Sequence, residues 1–319
     1  MNSRREMLKA CAAAGFTAIL HGCDGASARP SENTSPPFPD IADTTGASAE
    51  LVQFMKGFFT AKSNHNVEQT MSFFAPNMIT YIDAILGWDL AGFAAVESLF
   101  QKYMPTWPAA ARSYPTRIIG DLNSGATVCF TDTPELFGGE IRAIGIIDFS
   151  QGKIARWIDH WDFNSYSNQY GLQRATLTGY RQDQVSESAS TVLLALATKL
   201  CSALSLGDVT AVASMFSDDA VFEDMALRLQ ILGRIEIQRY LSRTISLLPY
   251  GAGMSLRHVV GGAAGGGFEW NGGSISAVRT GATSLLLDSN DHISRLTSVY
   301  DGSLLSSGTR STLLAASVD

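Results

Sequence analysis

Two stretches decide the reading: Leu90-Ala91-Gly92-Phe93-Ala94-Ala95-Val96-Glu97-Ser98-Leu99-Phe100 and Ile231-Leu232-Gly233-Arg234-Ile235-Glu236-Ile237-Gln238-Arg239-Tyr240-Leu241. Each puts a glycine before an amphipathic helix pattern, and nine residues before each glycine stands an aspartate, Asp83 or Asp224. Each aspartate follows an aromatic residue by two positions, Tyr81 or Phe222. Met104-Pro105 answers Leu248-Pro249. Further on, Gly152-Lys153-Ile154-Ala155-Arg156 answers Asp291-His292-Ile293-Ser294-Arg295, and Trp161-Asp162 answers Tyr300-Asp301. The offset is 141 residues at the aspartates and glycines, 144 at Met104-Pro105 and 139 at the last stretches, so the chain holds one unit twice.

Both copies parse alike. Leu51 to Phe59 and Val192 to Leu204 carry apolar residues at helical spacing. A short second helix ends in Ser72-Phe73-Phe74 or Ser214-Met215-Phe216. A strand then carries the aspartate, a helix follows the glycine, and three alternating strands close the unit. The units span residues 49–163 and 190–305, with a polar, Gln/Ser/Tyr-rich linker over 164–189.

Helix, corner, Phe216-Ser217-Asp218-Asp219-Ala220-Val221-Phe222-Glu223-Asp224 and a glycine-led helix resemble the nuclear transport factor 2-like superfamily. Its SnoaL-like polyketide cyclases and ketosteroid isomerases are the most similar in pattern. The resemblance implies two tandem α+β cones, each a curved antiparallel sheet wrapped on helices around an apolar pocket. It also implies a general base at Asp83 or Asp224. The isomerases' enolate donors do not carry over. Phe58 and Leu200 hold the tyrosine's place, and Gly145 and Thr283 lie near the place of the second donor. Steroid isomerisation of the usual kind is therefore disfavoured.

Strand alternation puts Trp157, Asp159 and Trp161 on one side of the last strand of the first copy. In the second copy those places hold Leu296, Ser298 and Tyr300, without a carboxylate. Asp83 and Asp159 are thus the candidate catalytic pair, with Tyr81, Trp157, Trp161, Phe58 and Tyr103 as pocket residues. Two carboxylates sharing an apolar site are expected to titrate apart, one serving as base and one as acid. The competing reading has Asp83 capping a turn and Asp159 paired with Arg156 or Arg142. His160 falls on the opposite face, at solvent or an interface; a one-residue register slip would bring it into the pocket. Trp107 and Tyr114 join Tyr103 as rim or core aromatics.

The N-terminus reads as an export signal. Ser3-Arg4-Arg5-Glu6-Met7-Leu8-Lys9 before the apolar run Ala10 to Leu20 resembles a twin-arginine leader. Leu20-His21-Gly22-Cys23 resembles a lipobox with His21 out of pattern, leaving a lipidated Cys23 and an ordinary cleavage site both open. Residues 24–48 read as a disordered Ser/Pro/Thr tether. A formal charge of −7 falls to −9 once Arg4, Arg5, Lys9 and Glu6 are removed, which gives no electrostatic footprint for nucleic acid. Cys129 and Cys201, one per copy, read as buried thiols, and no Cys/His spacing suggests a metal. Gly261 to Gly267 hold five glycines without the strand-turn-helix context of a phosphate loop, and read as a flexible or degenerate loop.

Two functions follow from these expectations. One is a cofactor-independent lyase or isomerase on an aromatic or polycyclic small molecule, epoxide hydrolysis and polyketide cyclisation being alternatives and catabolism of an environmental compound the setting. The other is a periplasmic ligand-binding module without turnover. A homodimer is compatible with either.

Overall fold

The computed structural model describes residues 36–167, 171–174 and 188–318. The leader, Cys23, the first part of the tether and residues 175–187 of the linker lie outside the described residues.

The first copy runs β1 (Asp43–Ala47), α1 (Ala49–Ser63), α2 (Val67–Met71), β2 (Thr80–Asp83), β3 (Trp88–Ala91), α3 (Phe93–Tyr103), β4 (Ser113–Asp121), β5 (Gly125–Asp132), the short α4 (Pro134–Phe137), β6 (Ile141–Ser150) and β7 (Lys153–Trp161). The second runs α5 (Thr191–Leu206), α6 (Val209–Ala213), β8 (Phe216–Asp224), β9 (Leu229–Leu232), α7 (Arg234–Thr244), β10 (Ser255–Gly262), β11 (Gly265–Asn271), β12 (Thr280–Leu287), β13 (Ile293–Tyr300) and α8 (Ser307–Ala315). Four strands, not three, follow the glycine-led helix in each copy.

The sheets share one topology. Their orders are β1-β4-β5-β6-β7-β2-β3 and β10-β11-β12-β13-β8-β9. Asp83 pairs with Asp159 across the parallel β2/β7 contact, and Asp224 pairs with Ser298 across β8/β13. The repeat read from sequence is therefore kept to the residue. Gly92 and Gly233 start α3 and α7 at φ 77° and 87°, a region that glycine enters without steric cost.

Side-chain oxygens of Ser48, Asn66, Ser190 and Asp208 cap the N-termini of α1, α2, α5 and α6. Helix α1 buries Leu51, Met55, Phe58, Phe59 and Lys62 along one stripe against its sheet. In the second copy Leu193, Ala197, Leu200 and Leu204 do the same.

Three expectations are corrected. The tether was read as disordered to residue 48, yet 43–47 form β1, parallel to β4, with Arg117 holding Asp43 at 3.2 Å. The second copy does not end at 305, because α8 follows and Leu313 is wholly buried in its core. Gly261 to Gly267 are not a loose loop: they are the ends of β10 and β11, paired from Gly261–Gly266 to Gly262–Gly265. That hairpin lies against the first sheet. A Cβ at Gly267 would stand 2.6 Å from Thr127 Cγ2, and one at Gly262 2.7 Å from Asp121 Oδ2. Gly262 is pressed by the first copy alone, whereas Gly261, Gly265, Gly266 and Gly267 are pressed hardest by the backbone of their own sheet.

The copies meet through the outer faces of their sheets. Ile144, Ile146 and Cys129 pack with Val260, Ala282 and Val299. Around them runs a buried polar network. Arg156 bridges Asp148 at 3.2 Å and Glu269 at 2.5 Å, Arg257 also donates to Glu269, and His258 contacts Asp148 at 2.9 Å.

Candidate active site

On β2 the sequence Thr80-Tyr81-Ile82-Asp83 alternates, sending Tyr81 and Asp83 to the concave face. On β7, Trp157, Asp159 and Trp161 face the same way. The strands are parallel and in register, so the two carboxylates face the same cavity from adjacent strands. Asp159 accepts hydrogen bonds from Tyr81 Oη (2.7 Å) and from Trp157 Nε1. Asp83 accepts from Trp161 Nε1 (3.1 Å to Oδ2) and from the backbone N–H groups of Ile85 (2.9 Å) and Leu86 (2.8 Å).

Asp83 thus caps the turn after β2 as well as lining the cavity. Asp224 does the same in the second copy, accepting from Leu227 N at 2.9 Å. The ion pairs considered for Asp159 do not form: Arg156 is engaged by Asp148 and Glu269, and Arg142 by Glu140 at 2.8 Å.

Burial lifts the Asp83 carboxyl to about 6, against the hydrogen bonds from Leu86, Trp161 and Ile85. Burial lifts Asp159 to about 7, opposed by Tyr81, the Lys62 charge and Trp157. Desolvation is the main cause in both, and mutual repulsion is the smallest contribution named for Asp159. Burial, rather than the repulsion expected of two carboxylates in one site, therefore sets both values. The Tyr81 phenol is pushed up by its burial and by Asp159, and stays neutral.

The cavity wall comprises Tyr81, Asp83, Asp159 and Trp161 with Trp88, Leu99, Phe100, Tyr103, Trp107, Phe130, Phe137, Ile141, Ala143, Leu172, Lys62 and Asp132. Its volume is about 50 Å³. Tyr103 stacks on Trp88 at 5.6 Å, and Tyr166 from the linker packs on Trp161 at 6.2 Å. Leu172 brings the linker segment onto the wall.

Phe58 and Trp157, expected in the pocket, form the layer behind it. Their rings lie 5.1 Å apart, and the Trp157 indole fills the space that a Cβ at Gly145 would need. Tyr114 stacks on Phe38 at 6.2 Å and lines a separate cleft with Arg117. His160 faces the second copy, wholly buried, and its pKa is lowered to about 4 by burial, with Glu269 opposing and Arg257 and Arg156 adding. The slipped register that would have put it in the pocket is absent. Among the described residues no group of three or more His, Cys, Asp or Glu side chains is placed to hold a metal ion.

Sequence reasoning missed Lys62 and Asp132. Lys62 continues the buried stripe of α1 one turn past Phe58 and Phe59, and a lysine on an apolar face is a legible signal. Asp132 follows Phe130 by two on a strand buried throughout, so the pleat turns it inward too.

Among the described residues, larger side chains fill the matching place in the second copy. Register equates Phe130, Ala143 and Trp161 with Trp270, Gly281 and Tyr300. Trp270 takes the room that Gly281 leaves: a Cβ there would lie 2.2 Å from Trp270 Cζ2. Tyr250 and Tyr300 fill the rest, each donating to Asp224 at 3.0 Å.

No family model matches the chain, and no curated protein matches it. Among solved structures it is similar to a putative ketosteroid isomerase from Kribbella flavida DSM 17836, with 17% identity over 40% of this chain and 92% of that one, at a TM-score of 0.30. A putative polyketide cyclase from Bacillus cereus ATCC 10987 shows 18% identity over 43% and 95%, at 0.33. An NTF-2 like protein of unknown function from Burkholderia xenovorans LB400 shows 21% over 38% and 91%, at 0.30. The architecture itself, two tandem α+β cones, stands on the sheet orders and registers above.

Proposed function

We propose that the first cone is a cofactor-independent acid/base site, a lyase or isomerase acting on an aromatic or polycyclic small molecule. The observation that carries the reading is the Asp83/Asp159 pair: two buried carboxyls, on facing positions of one aromatic cavity, both displaced toward neutral pH. Asp83, held by three N–H donors, is the base and takes a proton from a substrate C–H or O–H. Asp159, protonated and supported by Tyr81, gives its proton to the carbonyl oxygen or departing hydroxyl as the electrons shift there. Enolisation, retro-aldol cleavage and dehydration all fit this exchange. Flat substrates suit walls made of Trp88, Phe100, Tyr103, Trp107 and Trp161.

A second reading, a ligand-binding module, is favoured by one observation: the turn-capping bonds of Asp83 recur at Asp224, where Trp270, Tyr250 and Tyr300 fill the matching place. Turnover assays against β-hydroxy carbonyls, epoxides and diaryl compounds separate the two. Asp83→Asn and Asp159→Asn should each lower kcat by about 10²–10⁴, and Asp224→Asn should leave it nearly unchanged. Saturable binding without turnover of any of these would establish the module instead.

Export is proposed from the leader. Arg4-Arg5→Lys-Lys should hold the protein in the cytoplasm, and Cys23→Ala should free it from membranes; unchanged fractionation of both would count against the signal and the lipid anchor.

A further inference from the structure

Lys62 and Asp132 form a second polar feature of the cavity, which the acid/base step does not use. Both residues are more than nine-tenths buried, at 8% and 7% exposure. Lys62 Nζ lies 3.8 Å from Asp132 Oδ1, within ion-pair range and beyond hydrogen-bond reach. The ammonium stands over Phe130 at 5.2 Å and Phe59 at 5.8 Å. Asp132 Oδ1 is enclosed and accepts no hydrogen bond among the described residues. A buried acceptor left unanswered is costly, and Asp132 is one of the residues that line the cavity.

We infer that Lys62 and Asp132 are the specificity subsite for a hydroxyl group carried on the substrate's ring, phenolic or alcoholic. The inference rests on the cavity being a substrate pocket. An oxygen roughly 2.8 Å from each atom closes a triangle over the Lys–Asp gap. It accepts from Lys62 and donates its own proton to Asp132. Other groups serve only half of the pair. A carboxylate would meet Lys62 but be repelled by Asp132, and a ketone or ether would leave Asp132 Oδ1 unanswered. An ammonium would meet Asp132 but face the charge of Lys62. Rejection of these groups is as much a part of the selectivity as acceptance of the hydroxyl.

The test compares 2-naphthol, 2-methoxynaphthalene and 2-naphthoate by ligand-observed NMR titration of the full chain. 2-Naphthol should bind at least about ten-fold more tightly than its methyl ether, because a hydrogen bond to a charged group is at stake. Lys62→Met and Asp132→Leu should each bring that ratio close to one. Should either fail to fold, Asp132→Asn should still narrow the ratio, since a neutral acceptor replaces a charged one. Equal binding of the ether, preference for the naphthoate, or no binding of any probe would overturn the assignment. The Asp83→Asn/Asp159→Asn double variant should keep the preference for naphthol. Loss of turnover with retained preference would thus sink neither idea, while preference without any turnover in the wild type would sink only the acid/base reading.

Discussion

Asp83 and Asp159 are register partners on adjacent parallel strands, and each is held by the indole of a tryptophan two residues along β7 from Asp159. Trp161 donates to Asp83 and Trp157 to Asp159. The final strand therefore supplies one acid and orients both.

That arrangement makes the pair's cost visible in stability. Both folded pKa values, about 6 and about 7, lie above the ordinary 3.8. Protonation thus favours the folded state, a contribution fully present below pH 3.8 and lost as pH rises through about 7. Asp159→Asn removes the Asp159 part of this dependence and leaves that of Asp83. The difference in unfolding free energy between variant and wild type should move in the variant's favour from pH 5 to pH 8, by an amount of order a few kcal/mol. A difference that does not change with pH would mean that Asp159 is not buried as a carboxyl.

Turnover should have a narrow pH optimum. The base works when Asp83 is ionised, above about 6, and the acid when Asp159 is protonated, below about 7. The profile of kcat/KM should be a bell whose two limbs belong to the pair as a unit. Asp159→Asn should lose the alkaline limb in whatever activity remains. A plateau from pH 5 to 9 would rule out this division of labour.

In the second cone, Gly281→Ala should destabilise the protein by about 1–3 kcal/mol, since the new Cβ meets the Trp270 ring. Adding Trp270→Phe recreates the Phe130/Ala143 pairing of the first cone and should recover most of the loss. Denaturant midpoints check both. If the double variant is no better than the single one, the clash with Trp270 is not the cause.

Glu269 is fully buried between Arg156 and Arg257, which hold its carboxyl down at about 2 against the effect of burial. Its contribution to stability is present above the ordinary 4.5 and lost as pH falls through about 2. Glu269→Gln leaves two guanidinium groups short of a counter-charge and should cost about 3–5 kcal/mol at neutral pH. Arg156→Met combined with Glu269→Met should cost less than the sum of the two single changes. Unfolding in urea at pH 7 decides this.

Much of the fold was legible because its signals are local. Glycine-led helices, the aspartate nine residues before each glycine and the two-residue alternation of β7 depend on neighbours in the chain. They gave the repeat, the equivalence of Asp83 with Asp224, and the shared face of Trp157, Asp159 and Trp161. Alternation also put His160 on the opposite face, though not the Arg257 and Glu269 surroundings that keep it neutral.

What the sequence alone determined is therefore periodic: which residues share a face, and where one unit repeats. Only the tertiary structure decided which cone keeps a cavity. That turns on Phe130 against Ala143 and Trp270 against Gly281, pairs brought together by strand register and separated by more than ten residues in sequence. It also joined Lys62 of α1 to Asp132 of β5, packed the glycine run of β10 and β11 onto the first sheet, and made burial the main cause of the raised carboxyl pKa values. Each of these depends on how much volume distant side chains leave to one another. Periodicity fixes direction along a strand or helix, but room at its end is set by what packs there from elsewhere.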